Sequence, residues 1–338
     1  MAPASLPLIK HVSYAILALL LSATAATAGN ITLASGFNVL VRGDMTLKAD
    51  VGGRTAVGGN ATFQNFAIGS GDNGSNGAAL APDAARYDLV VGGVASLANG
   101  SIVKGSAYAG SASVTSVGFA TAGASMHTGG LAPVDIVNML SDAEALSQGL
   151  TGLASNGTAN AQWGGLTLTG SDSALNVFDL TTAMLSGLHS VNIIVPTTST
   201  VLFNVTGDAL AMQHMGINVN GAQDNAMSNQ LLWNFQELTS LTLNGLGWRG
   251  SILAPWATMH LANGNVNGQV IVDNLFTSWG GEYHNVAFTG DLPYAPPVDP
   301  EPTPVPEPAV TLLLGGAGLA CAYRFGRPAA AWLRRRRS

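Results

Sequence analysis

Val51-Gly-Gly-Arg-Thr-Ala-Val57-Gly-Gly-Asn60 carries one unit twice, a β-branched residue closed by a glycine pair, and Val91-Gly-Gly-Val94 carries it again. A second echo joins distant parts of the chain. Ala98-Asn-Gly-Ser-Ile-Val-Lys-Gly-Ser-Ala-Tyr108 matches Ala262-Asn-Gly-Asn-Val-Asn-Gly-Gln-Val-Ile-Val272, each with Asn-Gly at a corner before a strand that holds a further glycine. Between residues 29 and 291, short apolar runs closed by Gly or Asn-Gly recur at 37–41, 55–57, 89–91, 164–169, 191–195, 201–203, 241–243, 250–253 and 268–272. Such runs, bounded by Gly, Asn and Asp, read as strands with tight corners. A unit this short cannot bury a face by itself, but a stack of them can. Glycine at a corner admits positive φ at no steric cost, and small inward residues let walls approach. The fold class read here is mainly β: a β-helix (solenoid) body with one amphipathic helix packed alongside. The alternative is a β-sandwich, whose turn signals fall about every 8–12 residues; the corners here are less even.

The helix is read at Pro133-Val-Asp-Ile-Val-Asn-Met-Leu-Ser-Asp-Ala-Glu-Ala-Leu-Ser-Gln-Gly149. Ile136, Val137, Leu140 and Ala143 share a face at helical spacing, and Asp135, Asn138 and Asp142 fall on another. Pro133 suits the first turn and Gly149 the stop. The expected role is to cover an apolar face of the solenoid. A weaker helical pattern spans residues 180–188.

Of 338 residues, 47% are hydrophobic and 9% charged, against about 25% charged in soluble domains. Low charge with many apolar residues excludes disorder for the bulk of the chain. Between residues 29 and 300 stand six Lys and Arg against seventeen Asp and Glu. That field repels a polyanion, so nucleic acid is not an expected partner. A single cysteine, Cys321, excludes a disulfide framework and a cysteine-based zinc cluster.

Both ends read as addresses. Lys10 and His11, an apolar run to Leu21 and Ala26-Thr-Ala28 describe a secretory signal peptide over residues 1–28, with cleavage between Ala28 and Gly29. Residues 29–291 form the body. Residues 292–308 hold eight prolines, a stiff spacer. Residues 309–338 hold an apolar segment interrupted by Arg324 and Arg327, then Arg334, Arg335, Arg336 and Arg337. The positive-inside rule reads this as a transmembrane segment with a cytoplasmic C-terminus. Val305, Pro306, Glu307 and Pro308, the apolar segment and the arginine cluster together resemble the PEP-CTERM sorting signal. That resemblance implies processing by an exosortase, a membrane transpeptidase-like enzyme, and delivery to the cell surface or extracellular matrix.

The body resembles the choice-of-anchor A family. The carrying stretches are Phe37-Asn-Val-Leu-Val-Arg-Gly-Asp44, Asp50-Val-Gly-Gly-Arg-Thr-Ala-Val-Gly-Gly-Asn60, Leu89-Val-Val-Gly-Gly93 and Val201-Leu-Phe-Asn-Val-Thr-Gly207. Leu232-Trp-Asn-Phe235, Trp248-Arg-Gly-Ser-Ile-Leu-Ala-Pro-Trp-Ala257, Gly264-Asn-Val-Asn-Gly-Gln269 and Gly280-Gly-Glu-Tyr-His284 complete the set. The resemblance implies an ice-binding-like, adhesin-type β-helix on the cell surface, and it carries no catalytic residue, cofactor or metal.

The chemistry-bearing residues are few. Alternation on a strand puts Glu282 and His284 on one face, with His260 upstream, but no third zinc ligand follows by spacing. His189 and His214 stand among apolar neighbours. Asp72-Asn-Gly-Ser-Asn-Gly77 is oxygen-rich but lacks the closing Glu of an EF-hand. Asp44, Asp50 and Asp88 beside the Gly-Gly strands are the carboxylates that an alternative polysaccharide-acting enzyme would use. Gly69-Ser-Gly-Asp-Asn-Gly74 matches a phosphate-loop pattern by letter only, because it opens no helix and Asp72 repels phosphate. Ice binding needs a Thr-x-Thr ladder, and only Thr167-Leu-Thr169, Thr242 and Thr197-Thr-Ser-Thr200 offer pieces. Trp163, Trp233, Trp248, Trp256 and Trp279 are expected in the core or at corners, with sugar stacking as the use for any that is exposed. The expected partners are the exosortase, the membrane through the C-terminal segment, and an extracellular polysaccharide or surface ligand.

Overall fold

The structure is a computed structural model and describes residues 29–30, 33–71, 79–222 and 227–294. The signal peptide, the Asp72–Gly77 loop, the sorting motif and the C-terminal apolar and arginine segments lie outside the described residues, Gly29 excepted. Among the described helices none is long and apolar enough to cross a membrane.

The body is a stack of coils, each running through three walls. Between coils the strands pair parallel and in register. That settles the sandwich alternative, whose sheets are antiparallel. Among the described strands only two pairs are antiparallel: Gly29–Asn30 with Asp291–Leu292, and Thr158–Gln162 with Gly165–Thr169. Strands Tyr87–Ile102 and Ser106–Phe119 are long enough to turn through all three walls as one pair, with register shifts between Tyr87 and Leu89 and between Val91 and Val94.

Coil order is not chain order. Val39–Val41, the first wall strand of the sequence, pairs on one side with Thr55–Val57 and on the other with Val270–Thr277. The last coil of the sequence thus seats on the first. Buried amides close this seam. Asn38 donates to the carbonyls of Gly268 and His284, both at 3.0 Å, and accepts from the Gly53 N–H. Gln269 donates to the carbonyls of Leu33 and Phe37, both at 2.7 Å, and accepts from Phe288 N–H. The N-terminal coils then climb to Met126–Thr128, and the chain crosses back through α1 (Ile136–Leu150) before the C-terminal coils descend to the seam.

The first wall is apolar on both faces. Leu253, Ile271, Leu40, Ala56, Val90 and Tyr108 stand in register and point outward. They are buried with Ile136, Met139, Leu140, Ala143 and Leu146 of α1 in a hydrophobic cluster separate from the interior one. Val39, Val57, Leu89 and Val91 alternate with them and face the interior. A strand covered on both sides reads as a continuous apolar run, as at 39–41 and 89–91. The helix therefore does what was expected of it, with a shifted face. Val137 is 74% exposed, and Met139, Leu146, Ser147 and Leu150 complete the buried stripe. Pro133 lies outside the first turn. Asp135 is the N-cap and accepts from Asn138 N–H, which satisfies an otherwise orphan donor. Gly149 does not stop the helix, which runs on to Leu150; a Cβ there would meet the Tyr294 ring. The C-terminal half of α1 docks through a buried polar set. Ser147 Oγ donates to Asn234 Oδ1 at 2.6 Å, Asn234 Nδ2 donates to Ser147 O and Asn204 Oδ1, and Asn204 Nδ2 donates to Leu150 O. The 180–188 pattern yields only α2 (Thr182–Leu185), because Leu180 and Thr181 complete the strand Leu175–Thr181 and Thr181 caps the helix.

Two kinds of corner turn the coil. Between the first and second walls the glycines are there for close approach and not for positive φ. A Cβ on Gly59 would lie 2.6 Å from Gly43 O, one on Gly93 2.7 Å from Gly59 O, and one on Gly110 2.6 Å from Gly92 O. Between the second and third walls the left-handed residue is Asn65, Asn99, Ser116 or Asn263, with φ of 52°, 53°, 53° and 49°. Asn tolerates this region better than other side-chain-bearing residues. The Asn-Gly echo of the sequence is therefore the same corner in two coils. The interior is not uniformly small, contrary to expectation. Phe178, Phe203 and Trp233 stack in register through the C-terminal coils, with ring centroids 5.6 and 3.9 Å apart.

Candidate functional site

The second wall bears no helix over most of its length; only α2 takes its place, in the end coil beside strand Ala209–Gln213. Its outward file runs Ala211, Thr242, His260, Phe276, Thr46, Thr62, Ser96 and Ser113, one residue per coil. Neighbouring coils are about 4.8 Å apart, so the file is a regular surface lattice. It divides in two. From Thr46 to Ser113 it is a row of hydroxyls. Around Phe276 it is aromatic: the rings of His260 and Phe276 stack at 5.0 Å and 16°. Trp279 stands at the adjoining corner, 59% exposed, with Lys48 Nζ 6.0 Å from its ring. Thr46, Lys48, Thr242, His260, Phe276 and Trp279 line a shallow depression of about 410 Å³. An exposed aromatic floor with hydroxyl and ammonium groups at its edge binds by stacking and hydrogen bonding. The periodicity of the sequence does not reveal this patch, because its residues come from strands 45–47, 240–244, 251–262 and 270–277 and from the corners after two of them.

The carboxylates of interest have structural partners. Asp44 Oδ1 accepts from Asn60 N–H at 2.7 Å, Asn60 Oδ1 from Val94 N–H, and Asn274 Oδ1 from Asp44 N–H. Each corner side chain thus caps the next coil. Asp88 is fully buried and paired with Arg86 at 2.7 Å. Asp50 accepts from Ala67 N–H and lies in register with Glu282 on the third wall. Burial raises the Asp50 carboxyl above its ordinary range, the Ala67 hydrogen bond opposes this, and the neighbouring Glu282 charge adds to the rise. Glu282 and His284 do meet, at 3.2 Å. His284 Nδ1 faces Asn267 Oδ1 at 2.5 Å, so both ring nitrogens are committed to protein oxygens. His260 is on a different wall and does not join them. Among the described residues, no three His, Cys, Asp or Glu side chains are placed to hold a metal. His189 and His214 are exposed at corners, in keeping with a surface role. Trp233 and Trp248 are in the core and Trp256 is half-buried, as expected of most tryptophans. Trp163, 97% exposed, and Trp279 stand at corners, as expected, but in solvent and not packed.

A parallel β-solenoid with one helix-covered wall and one bare wall defines a class of domain that presents a flat, regular surface. Residues 30–285 match the family model described as "Putative Ice-binding-like adhesive domain". The chain belongs to that family. Among solved structures, an ice-binding protein from the Antarctic ascomycete Antarctomyces psychrotrophicus is 14% identical at a TM-score of 0.39, over 77% of this chain and 98% of that one. The ice-binding protein LeIBP from an Arctic yeast is 12% identical at 0.35, over 83% and 99%. The DUF3494 domain of Shewanella frigidimarina ice-binding protein 1 is 13% identical at 0.31, over 62% and 99%. No curated protein matches the sequence.

Proposed function

We propose that the chain is a non-enzymatic extracellular adhesin of the choice-of-anchor A type. It is exported by its signal peptide, sorted through its PEP-CTERM tail by an exosortase, and displayed on the cell surface or in the matrix. One observation carries the adhesive reading: the apolar outer face of the first wall is sealed by α1, whereas the second wall keeps Phe276 and Trp279 in solvent. Exposed aromatics clustered on a bare face mark an interaction surface. Asp88 is buried and paired with Arg86, and Asp44 caps the next coil, which supports structural roles for these two carboxylates. For sorting, the support is the sequence of residues 305–337.

Two measurements test this. Deleting residues 306–338 should move the protein from the envelope fraction to the medium; unchanged retention would refute the sorting route. Phe276→Ser with Trp279→Ser should abolish attachment of expressing cells to a surface they normally colonise without lowering Tm. Undiminished attachment would remove the second wall from the adhesive role.

The hydroxyl file Thr46, Thr62, Ser96, Ser113 favours a second reading, ordered water or ice as the ligand. Thermal hysteresis of the full chain, lost on Thr62→Tyr, would establish it; no hysteresis would leave adhesion alone.

A further inference from the structure

The hairpin Thr158–Gln162 to Gly165–Thr169 is joined by Trp163 and Gly164, with φ of 53° and 77°. Two positive φ values in a two-residue loop define the turn for which Asn-Gly is favoured. A bulky residue in that conformation is an outlier. Trp163 is in addition 97% exposed. The chain thus holds its largest side chain in a strained conformation in which the side chain buries almost nothing. The turn is not loose: His189 N–H donates to Gly164 O at 2.7 Å, and the His189 ring lies under Gly164.

Below the indole, the outward face of the third wall is made of amides and hydroxyls. Asn160, Thr167, Asn192 and Asn218 are in register across four strands, with Gln162 and Ser190 in the adjacent file. Asn218 donates to Asn192 Oδ1 at 3.0 Å, which fixes the Asn192 amide and leaves its NH2 group to donate elsewhere. The side-chain amides of Asn160 and Gln162 make no hydrogen bond to described residues. These residues and Trp163 border an open recess of about 340 Å³, and no Asp, Glu, Lys or Arg lines it.

We infer that this recess binds an uncharged saccharide, one pyranose ring stacking on Trp163 while Asn160, Gln162 and Asn192 take its hydroxyls. An aromatic ring offers its face to the C–H side of a sugar. Side-chain amides donate and accept at once, which matches hydroxyl pairs. A volume of this size suits one or two rings. His189 is the titratable side chain in the lining, and the lack of any Lys or Arg favours a neutral glycan over a uronic-acid polymer. The inference rests on the extracellular reading above and names the ligand class, on a wall other than the one with Phe276.

The test uses the purified full chain in detergent, titrated calorimetrically and by tryptophan fluorescence with cellohexaose, xylohexaose and mannohexaose, with polygalacturonate as the charged control. At least one neutral oligosaccharide should bind and shift the fluorescence. Trp163→Asn should raise Kd at least tenfold while leaving Tm equal or higher, because Asn-Gly relieves the turn. Asn160→Ala should raise Kd about threefold. Loss of binding in a variant that is as stable as the parent separates a ligand role from a structural one. Binding to none of the neutral sugars would overturn the inference, as would binding only to polygalacturonate. Equal Kd in Trp163→Asn, or loss of binding in Trp279→Ser instead, would also overturn it. The tail deletion and the cell-attachment assay read the adhesin proposal independently, so either can fail alone.

Discussion

The first and second walls are built from the same strands, yet they end differently. Ser251–Ala262 and Val270–Thr277 each contribute to both. On the first wall the outward positions are Leu253 and Ile271, under α1; on the second they are His260 and Phe276, in solvent. Five to seven positions along one strand therefore separate a face that builds the fold from a face free to meet something else. The backbone specifies the lattice on both, and the outward residues alone decide its use.

Substitutions at matched outward positions sharpen this contrast. The largest effect is expected at the covered wall: Leu140→Ala opens a cavity between α1 and the strands and should cost about 2–5 kcal/mol, read as a fall in Tm. Thr62→Ala on the bare wall should change stability by less than about 0.5 kcal/mol. Similar losses at both positions would mean that the second wall is also covered. Next comes the polar dock of α1. Asn234→Leu leaves Ser147 and Asn204 with unmade hydrogen bonds in a buried setting, at about 1–3 kcal/mol, and should speed hydrogen exchange in the last turns of α1 before the core opens. The smallest effect concerns Asp50 on the third wall. Its folded-state carboxyl titrates above the unfolded value of 3.8. The folded chain therefore holds this proton more tightly, a contribution that is present below that pH and is lost as pH rises through the folded value. Asp50→Asn should remove the loss, so that its Tm gains on the parent by about 2 °C or less between pH 3 and pH 6. A constant difference across that range would show that the shift is absent.

Much of the fold was legible because the corners are chemically loud. Val-Gly-Gly and Asn-Gly repeat wherever the coil turns, and the apolar stripe of α1 announces a covered wall. Corner glycines read as sites of positive φ, but at Gly59, Gly93 and Gly110 close packing of one coil on the next is what a side chain would break. Composition pointed to a small-residue core and hid the Phe178, Phe203, Trp233 stack, since three aromatic residues scarcely alter the average. The contact between residues 39–41 and 270–272 leaves no local trace, because nothing near either strand encodes a partner about 230 positions away. The second-wall patch was invisible for the same reason. Trp163 reads in the sequence as one more core or corner tryptophan, but its exposure follows from a turn that its own identity argues against.

The return of the chain through α1 has a consequence for growth. The first wall holds ten strand positions, from Leu175–Thr181 at one end to Met126–Thr128 at the other, a length of about 43 Å. The fifteen residues of α1 supply about 22 Å of it, and the segments on either side must supply the rest. Duplicating a coil lengthens the pile by about 4.8 Å without lengthening the crossover. A solenoid open at both ends can add repeats freely, whereas here every added turn asks the segments beside α1 to reach about 4.8 Å further.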